Sequence, residues 1–243
     1  MSVNDLIKAL VNSISTTLNV VESVDNGNNT FSFVFKEVLW LRVGKTLVTE
    51  NEASYKVVSI TGDKEQGFTV LCKLLKGSYD ANTSIVNIPK PYYFHGSIRM
   101  INGEVAKIRR SIDKVPMFYL RTLEESTFPN DKTERFLYNV PIELFVLDEA
   151  NFKDWISEDY ESEIIEPLRS LLNAFIEKVK ENEQAIEPEP YQIRPIIKFA
   201  REDDNGNVSK LFTDDLSGWR FRTSLNVKKP LNCCKDNKIK LKL

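Results

Sequence analysis

The chain has 243 residues with a formal net charge of -2, 42% hydrophobic and 28% charged residues. That is long enough to bury its own core as one large or two small domains, and ordinary in composition for a globular protein. A near-neutral balance speaks against a whole-molecule nucleic-acid binder, which is usually clearly basic. Three cysteines, Cys72 and the adjacent Cys233 and Cys234, make no disulfide framework and read as reduced thiols. No apolar run approaches the ~20 residues of a membrane span, and the opening MSVNDLIKAL mixes an acid and a lysine into a helical pattern, unlike a signal peptide.

In chain order, the first expected element is a helix. Leu6, Leu10, Ile14 and Leu18 recur every fourth residue with Ile7 and Val11 beside them, so the helix is expected to run to about Leu18. Ser2 or Asn4 is suited to cap its start.

From Val20 to about Lys76 the periodicity changes to that of strands. VVESV and TFSFVF flank DNGNN, whose Asn-Gly supplies the positive φ of a hairpin turn; KTLVT, SYKVVSI and FTVLCKL follow, the last two joined by TGDKEQG. Short strands at such spacing suggest a small curved sheet or barrel. Phe31, Phe33 and Phe35 alternate on one face, which reads as core in preference to a base-stacking platform. SIVNIP is a further strand and KPYYFHGS a turn-rich loop between Pro89, Pro91 and Gly96. Its aromatics Tyr92, Tyr93 and Phe94 form either an exposed docking surface or a loop folded onto the core. INGEVAKI is a short hairpin or a helix start.

PMFYLRTL and VPIELFVLDE are strands separated by the polar excursion EESTFPNDKTERF. Ile164, Leu168, Leu171, Leu172, Phe175, Ile176 and Val179 then define a long amphipathic helix. Pro167 allows two starts: near Glu166, or earlier from Glu158 with a kink at the proline. YQIRPIIKFA, a turn over EDDNGNVSK and the strand SGWRFRTSLNV complete the pattern. In that strand Trp219, Phe221, Thr223, Leu225 and Val227 alternate with Arg220, Arg222, Ser224 and Asn226, one face buried and one wet. The expected class is α+β: an antiparallel or mixed sheet flanked by an N-terminal helix and a long helix, with a small barrel-like subdomain. The expected division is 1–19 helix, 20–80 strand-rich subdomain or insertion, 81–230 α/β core and 231–243 basic tail.

Reactive side chains are sparse. His95 is the single histidine, and a small hydrolase would need it beside Cys72 or a serine, which nothing in the order of residues indicates. Glu158, Asp159, Glu161 and Glu163 read as a solvated helix start, favoured by the dipole. Asp203, Asn205 and Asn207 open like a calcium loop, but Val208 stands at its glycine and Asp214 at its glutamate. Gly44 in VGKT would require a glycine where Leu39 stands, so no phosphate loop is formed. The cations Lys36, Arg42, Lys45, Lys56 and Lys73 lie scattered among acids, a thin basis for a nucleic-acid-binding barrel. The lysines after Val227 form either a flexible end or an arm that docks on an acidic surface of a neighbouring copy. No catalytic, cofactor or metal residue is assigned.

IPKPYYFHGS with NGE, KVPMFYLRTLEE, ERFLYNVPIELFVLDE with EPLRSLLNAFIEKV, and LSGWRFRTSLNV ending in Cys233 together resemble neck or tail-terminator (tail-completion) proteins of tailed bacteriophages, over roughly residues 85 to 234. The resemblance implies a non-enzymatic virion protein of the tail or neck, assembled in the host cytoplasm. It implies a homo-oligomeric ring, hexamer or dodecamer, that meets other neck, portal-connector or tail-tube proteins, with DNA as passing cargo and no membrane or cofactor. Helix 1, the excursion Glu124 to Arg135 and the lysine tail are the expected contacts between subunits. A nucleic-acid-binding β-barrel, or a small hydrolase using His95, is the alternative.

Overall fold

The computed structural model describes residues 3–63, 65–97, 115–122, 136–150, 157–182, 186–188, 190–202, 208–210 and 215–228. The fold is α+β, with a closed six-stranded barrel and a mixed sheet backed by helices. INGEVAKI, the excursion Glu124 to Arg135, Asp203, Asn205, Asn207 and Asp214 of the calcium-like turn, Cys233 and Cys234 and the lysines after Lys228 lie outside the described residues.

Helix α1 spans Val3–Asn12 and buries Leu6, Ile7, Leu10 and Val11. It stops a turn and a half before the expected Leu18. Ser13 donates its hydroxyl to the Leu10 carbonyl at 2.7 Å, a local bond that competes with the helical ladder, and the β-branched Thr16 and Thr17 follow. Ile14 and Leu18 are nevertheless buried in the same core. Their four-residue spacing marks burial there, not helix.

The barrel strands are β1 (Thr17–Asp25), β2 (Thr30–Phe35), β3 (Thr46–Thr49), β4 (Ser54–Asp63), β5 (Gly67–Lys76) and β6 (Ile85–Asn87), closed in the order β1-β2-β5-β4-β3-β6. The barrel thus reaches past residue 80, because β6 is the strand that closes it by pairing with both β1 and β3. The β1–β2 turn places Gly27, Asn28 and Asn29 at φ of 78°, 53° and 59°, the region asparagine and glycine tolerate best. Phe31, Phe33, Phe35, Leu47, Tyr55, Val57, Val70 and Cys72 fill the interior. Phe33 meets Tyr55 edge-on with ring centroids 5.2 Å apart. The pairing register slips at Val20/Glu22, Ser54/Tyr55 and Val57/Ser59. Such bulges bend strands and turn one side chain outward, and the extra residues Val21, Leu75 and Val58 are among the exposed large apolar side chains.

The second sheet contains β7 (Tyr92–His95), β8 (Met117–Thr122), β9 (Phe136–Glu149), β10 (Ile186–Pro188), β11 (Gln192–Ile196) and β14 (Leu216–Lys228). Its order is β10-β14-β9-β8-β7, with β11 also pairing β14. A small hairpin, β12 (Ala200–Glu202) and β13 (Val208–Lys210), stands apart. The expected loop KPYYFHGS is instead strand β7, parallel to β8. Pro89 and Pro91 precede the strand without interrupting it, and Gly96, at φ 118°, ends it. Tyr93 and Phe94 take opposite sides of β7, each against one of the two cores, while Tyr92 is exposed.

Helix α2 is built of three continuous segments, Ser157–Tyr160, a π-helical turn Glu161–Ile165 and Glu166–Glu181. The earlier of the two starts is therefore the real one. Pro167 cannot donate to the ladder, and the wider π-turn, in which the Glu166 N–H donates to the Glu161 carbonyl, lies immediately before it. Ile164, Leu168, Leu171, Leu172, Phe175, Ile176 and Val179 are buried as their spacing requires. They pack on Phe118, Leu144, Val146, Trp219, Phe221 and Leu225 of the sheet and join α1 and the barrel interior in one continuous core. Among the described residues no helix is long and apolar enough to cross a membrane.

Candidate functional site

Among the described residues, two networks of ion pairs are each built around a buried carboxylate, one hidden and one open. The hidden one joins barrel to sheet. Arg42 and Lys45, on the connection between β2 and β3, reach Asp148 at the end of β9. Arg42 donates Nη2 to Asp148 at 2.7 Å and Nε at 3.2 Å, and also reaches the Glu149 carbonyl at 3.2 Å. Lys45 donates Nζ to Asp148 at 3.1 Å and to the Val115 carbonyl at 2.8 Å. Asp148 further accepts the Glu149 backbone N–H at 2.7 Å. Burial alone raises the Asp148 carboxyl, but the Lys45 and Arg42 cations outweigh it and hold the group below the ordinary carboxylate range. The cluster fixes the barrel against the sheet.

The open cluster lies on the sheet face opposite α2. Register builds it, since side chains directly opposite on neighbouring strands share a face. One row runs Arg121 (β8), Glu143 (β9), Arg222 (β14) and Gln192 (β11). Two residues along, the next row runs Tyr119, Phe145, Arg220 and Arg194. Glu143 is only 1% exposed and anchors the guanidinium groups. Arg220 donates Nε and Nη2 to its Oε1 at 2.6 and 2.5 Å, Arg222 donates Nε at 2.6 Å, and Arg121 stands 3.4 Å from Oε2. The side chains of Arg121 and Arg222 are 58% and 49% exposed, so their outer N–H groups face water. Exposed Arg194 makes no ion pair among the described residues, and Lys198 lies 3.8 Å from Asp215. Arg121, Arg194, Lys198 and Arg220 line a cavity of about 340 Å³ together with Ile196 and Phe199. Tyr119, Phe145 and Phe199 form its floor, Tyr119 and Phe145 stacked with centroids 5.5 Å apart and both rings buried. With four arginines grouped around the buried Glu143 carboxylate, this part of the face is suited to hold negatively charged groups by planar, two-pronged hydrogen bonds.

The residues singled out from sequence are dispersed. His95 sits on β7, whereas Cys72 lies in the barrel interior, where burial pushes its thiol up to about 12. Phe31, Phe33 and Phe35 are 4%, 0% and 1% exposed inside the barrel and offer nothing to a base. Lys56 and Lys73 are opposite each other on the barrel wall. Arg42 and Lys45 are not surface cations at all but the buried partners of Asp148. Gly44 takes φ 86° in the turn that delivers Lys45. Glu158, Glu161 and Glu166 are exposed on α2 and form no ion pair among the described residues. Glu163 is half-buried beside the barrel, and burial raises its carboxyl despite the nearby Arg42. The Glu143 cluster was missed because its members come from three separate strands; the visible signal was the alternation in WRFRTS set against the lone acid in IELFV.

No family model matches the chain, and no curated protein matches it.

Proposed function

We propose that the chain is a virion structural protein of a tailed bacteriophage, one subunit of a ring at the head–tail junction or top of the tail through which DNA passes. One observation carries the reading that it acts as a shaped body. The two most deeply buried carboxylates among the described residues, Asp148 and Glu143, are both held by the protein's own cations, one locking barrel to sheet and the other organising an arginine-rich outer face. Such groups give rigidity and surface, and no bond-making step is assigned to them. The phage assignment rests on the resemblance carried by residues 85 to 234, and so do the hexamer or dodecamer, the neighbouring neck and tube proteins and the virion location.

Native mass spectrometry with negative-stain microscopy tests the proposal: closed rings of the full chain are expected. A clean monomer at high concentration would overturn it. A second reading, a nucleic-acid-binding module, now draws on the arginine face and not on the barrel; retention on duplex DNA that falls steeply with salt is its signature.

A further inference from the structure

We infer that the arginine face receives the acidic start of α2 from a second copy of the chain. The inference rests on the self-assembling reading above and names the contact it would use. The central sheet has two unlike faces: α2 covers one, while Arg121, Arg194, Arg220 and Arg222 stand on the other. Glu158, Glu161 and Glu166 are exposed on α2 without ion pairs among the described residues, Glu161 and Glu166 at the mouth of the cleft between α2 and the barrel, and α2 lies on the opposite side of the sheet from those arginines. They cannot reach the arginines within one molecule. Laying the helix layer of one copy on the open sheet of the next brings the two together, and it repeats with the same hand each time. Such a head-to-tail contact closes into a ring when its rotation permits.

The dimensions agree. Arg121 and Arg222 are two strands apart and Arg194 one further, spans of about 10 and 14 Å at the spacing of paired strands. Glu158 to Glu166 covers about 12 Å of helix at its ordinary rise per residue. The occupant is also favoured by chemistry, because Tyr119 and Phe145, the rings directly beneath the arginines, are buried and not available to a nucleic-acid base.

The experiment uses two variants of the full chain, Arg194→Glu and the double change Glu158→Lys with Glu161→Lys. Both alter exposed side chains that form no ion pair among the described residues, and circular dichroism and thermal unfolding check that each remains folded. Self-association is read by sedimentation velocity and native mass spectrometry. Each variant alone is expected to weaken assembly by about tenfold or more, since like charges then face each other. An equimolar mixture is expected to reassemble: the sheet face carrying Arg194→Glu accepts the lysine-bearing helix, the unchanged arginine face accepts the unchanged helix, and the two species alternate. Wild-type assembly that both variants retain undiminished would overturn the contact while leaving the self-assembly reading intact. A monomeric wild type would overturn both. Duplex DNA binding lost in Arg194→Glu, with assembly unchanged, would assign the face to a polyanion instead.

Discussion

The indole N–H of Trp219 donates to the carbonyl oxygen of Ile165 at 2.8 Å, tying the last long strand to the π-turn of α2. Both groups are buried, and Arg169 lies over the same ring with its guanidinium carbon 5.5 Å from the centroid. Trp219→Phe keeps much of the apolar volume but leaves the carbonyl without this donor. A loss of about 1–3 kcal/mol in urea unfolding is expected. An unchanged midpoint would show that water replaces the donor.

Asp148→Asn preserves shape but leaves Arg42 and Lys45 buried without their counter-charge, an expected cost of about 3–5 kcal/mol. The pH dependence has a definite sign. The folded carboxyl titrates below its ordinary value, so its contribution is complete above about pH 4 and is lost as pH falls through the depressed folded value. Unfolding curves of both proteins over a pH series should therefore converge in acid. A gap that stayed constant down to the most acidic point would contradict the assignment.

Gly218 is at φ 154°, and a Cβ there would overlap the Val146 carbonyl oxygen and stand 2.9 Å from Cδ1 of Leu168. Both neighbours belong to the packed layer between β9 and α2, so neither gives way cheaply. Gly218→Ala should cost roughly 3 kcal/mol or prevent soluble expression. Wild-type stability in this variant would mean that the strand relaxes.

Cys72 is fully enclosed, and burial pushes its thiol up to about 12. In a Cys233→Ser, Cys234→Ser background a disulfide reagent should not label the native protein at neutral pH, because the thiolate is the reactive species. Stoichiometric labelling is expected on adding denaturant. Rapid labelling of the folded chain would show that the barrel opens.

Glu163 contributes in the opposite sense to Asp148. Burial raises its folded carboxyl, with Arg42 opposing, so the ionised form is disfavoured in the folded protein. Glu163→Gln should raise the thermal midpoint at neutral pH, and the gain should fade once the wild-type group is protonated in acid. A lowered midpoint would mean that the Arg42 attraction dominates.

Periodicity made much of this architecture legible. The α2 stripe from Ile164 to Val179, the alternation of β14 and the Asn-rich hairpin of β1 and β2 each follow from spacing alone. What depends on long-range pairing did not show. Ile14 and Leu18 continue the helical rhythm, yet Ile14 lies in the bend after α1 and Leu18 is already in β1. Tyr92 to His95 reads as a loop because prolines and a glycine flank it, but the neighbouring β8 supplies a parallel partner that local propensity cannot reveal. Lys45 and Asp148 are 103 residues apart, and Glu143 gathers arginines from two other strands. Charges that read as scattered become clusters only through register.

The chain enters the barrel at Thr17 and leaves it at Asn87, and these two residues are register partners whose side chains touch at 3.1 Å. In covalent terms everything between them is therefore an insertion with a single narrow stalk, although its side chains share one core with α1 and α2. To the rest of the polypeptide it counts as a very short connection between α1 and β7, whatever its contour length, so closing the main sheet carries little of the entropy that so long an excursion would otherwise impose. The same geometry makes the stalk a natural place to splice: a two- or three-residue bridge in place of the barrel would leave the strand order of the sheet unaltered, at the loss of the Arg42 and Lys45 anchor and of the core that the barrel shares with α1 and α2.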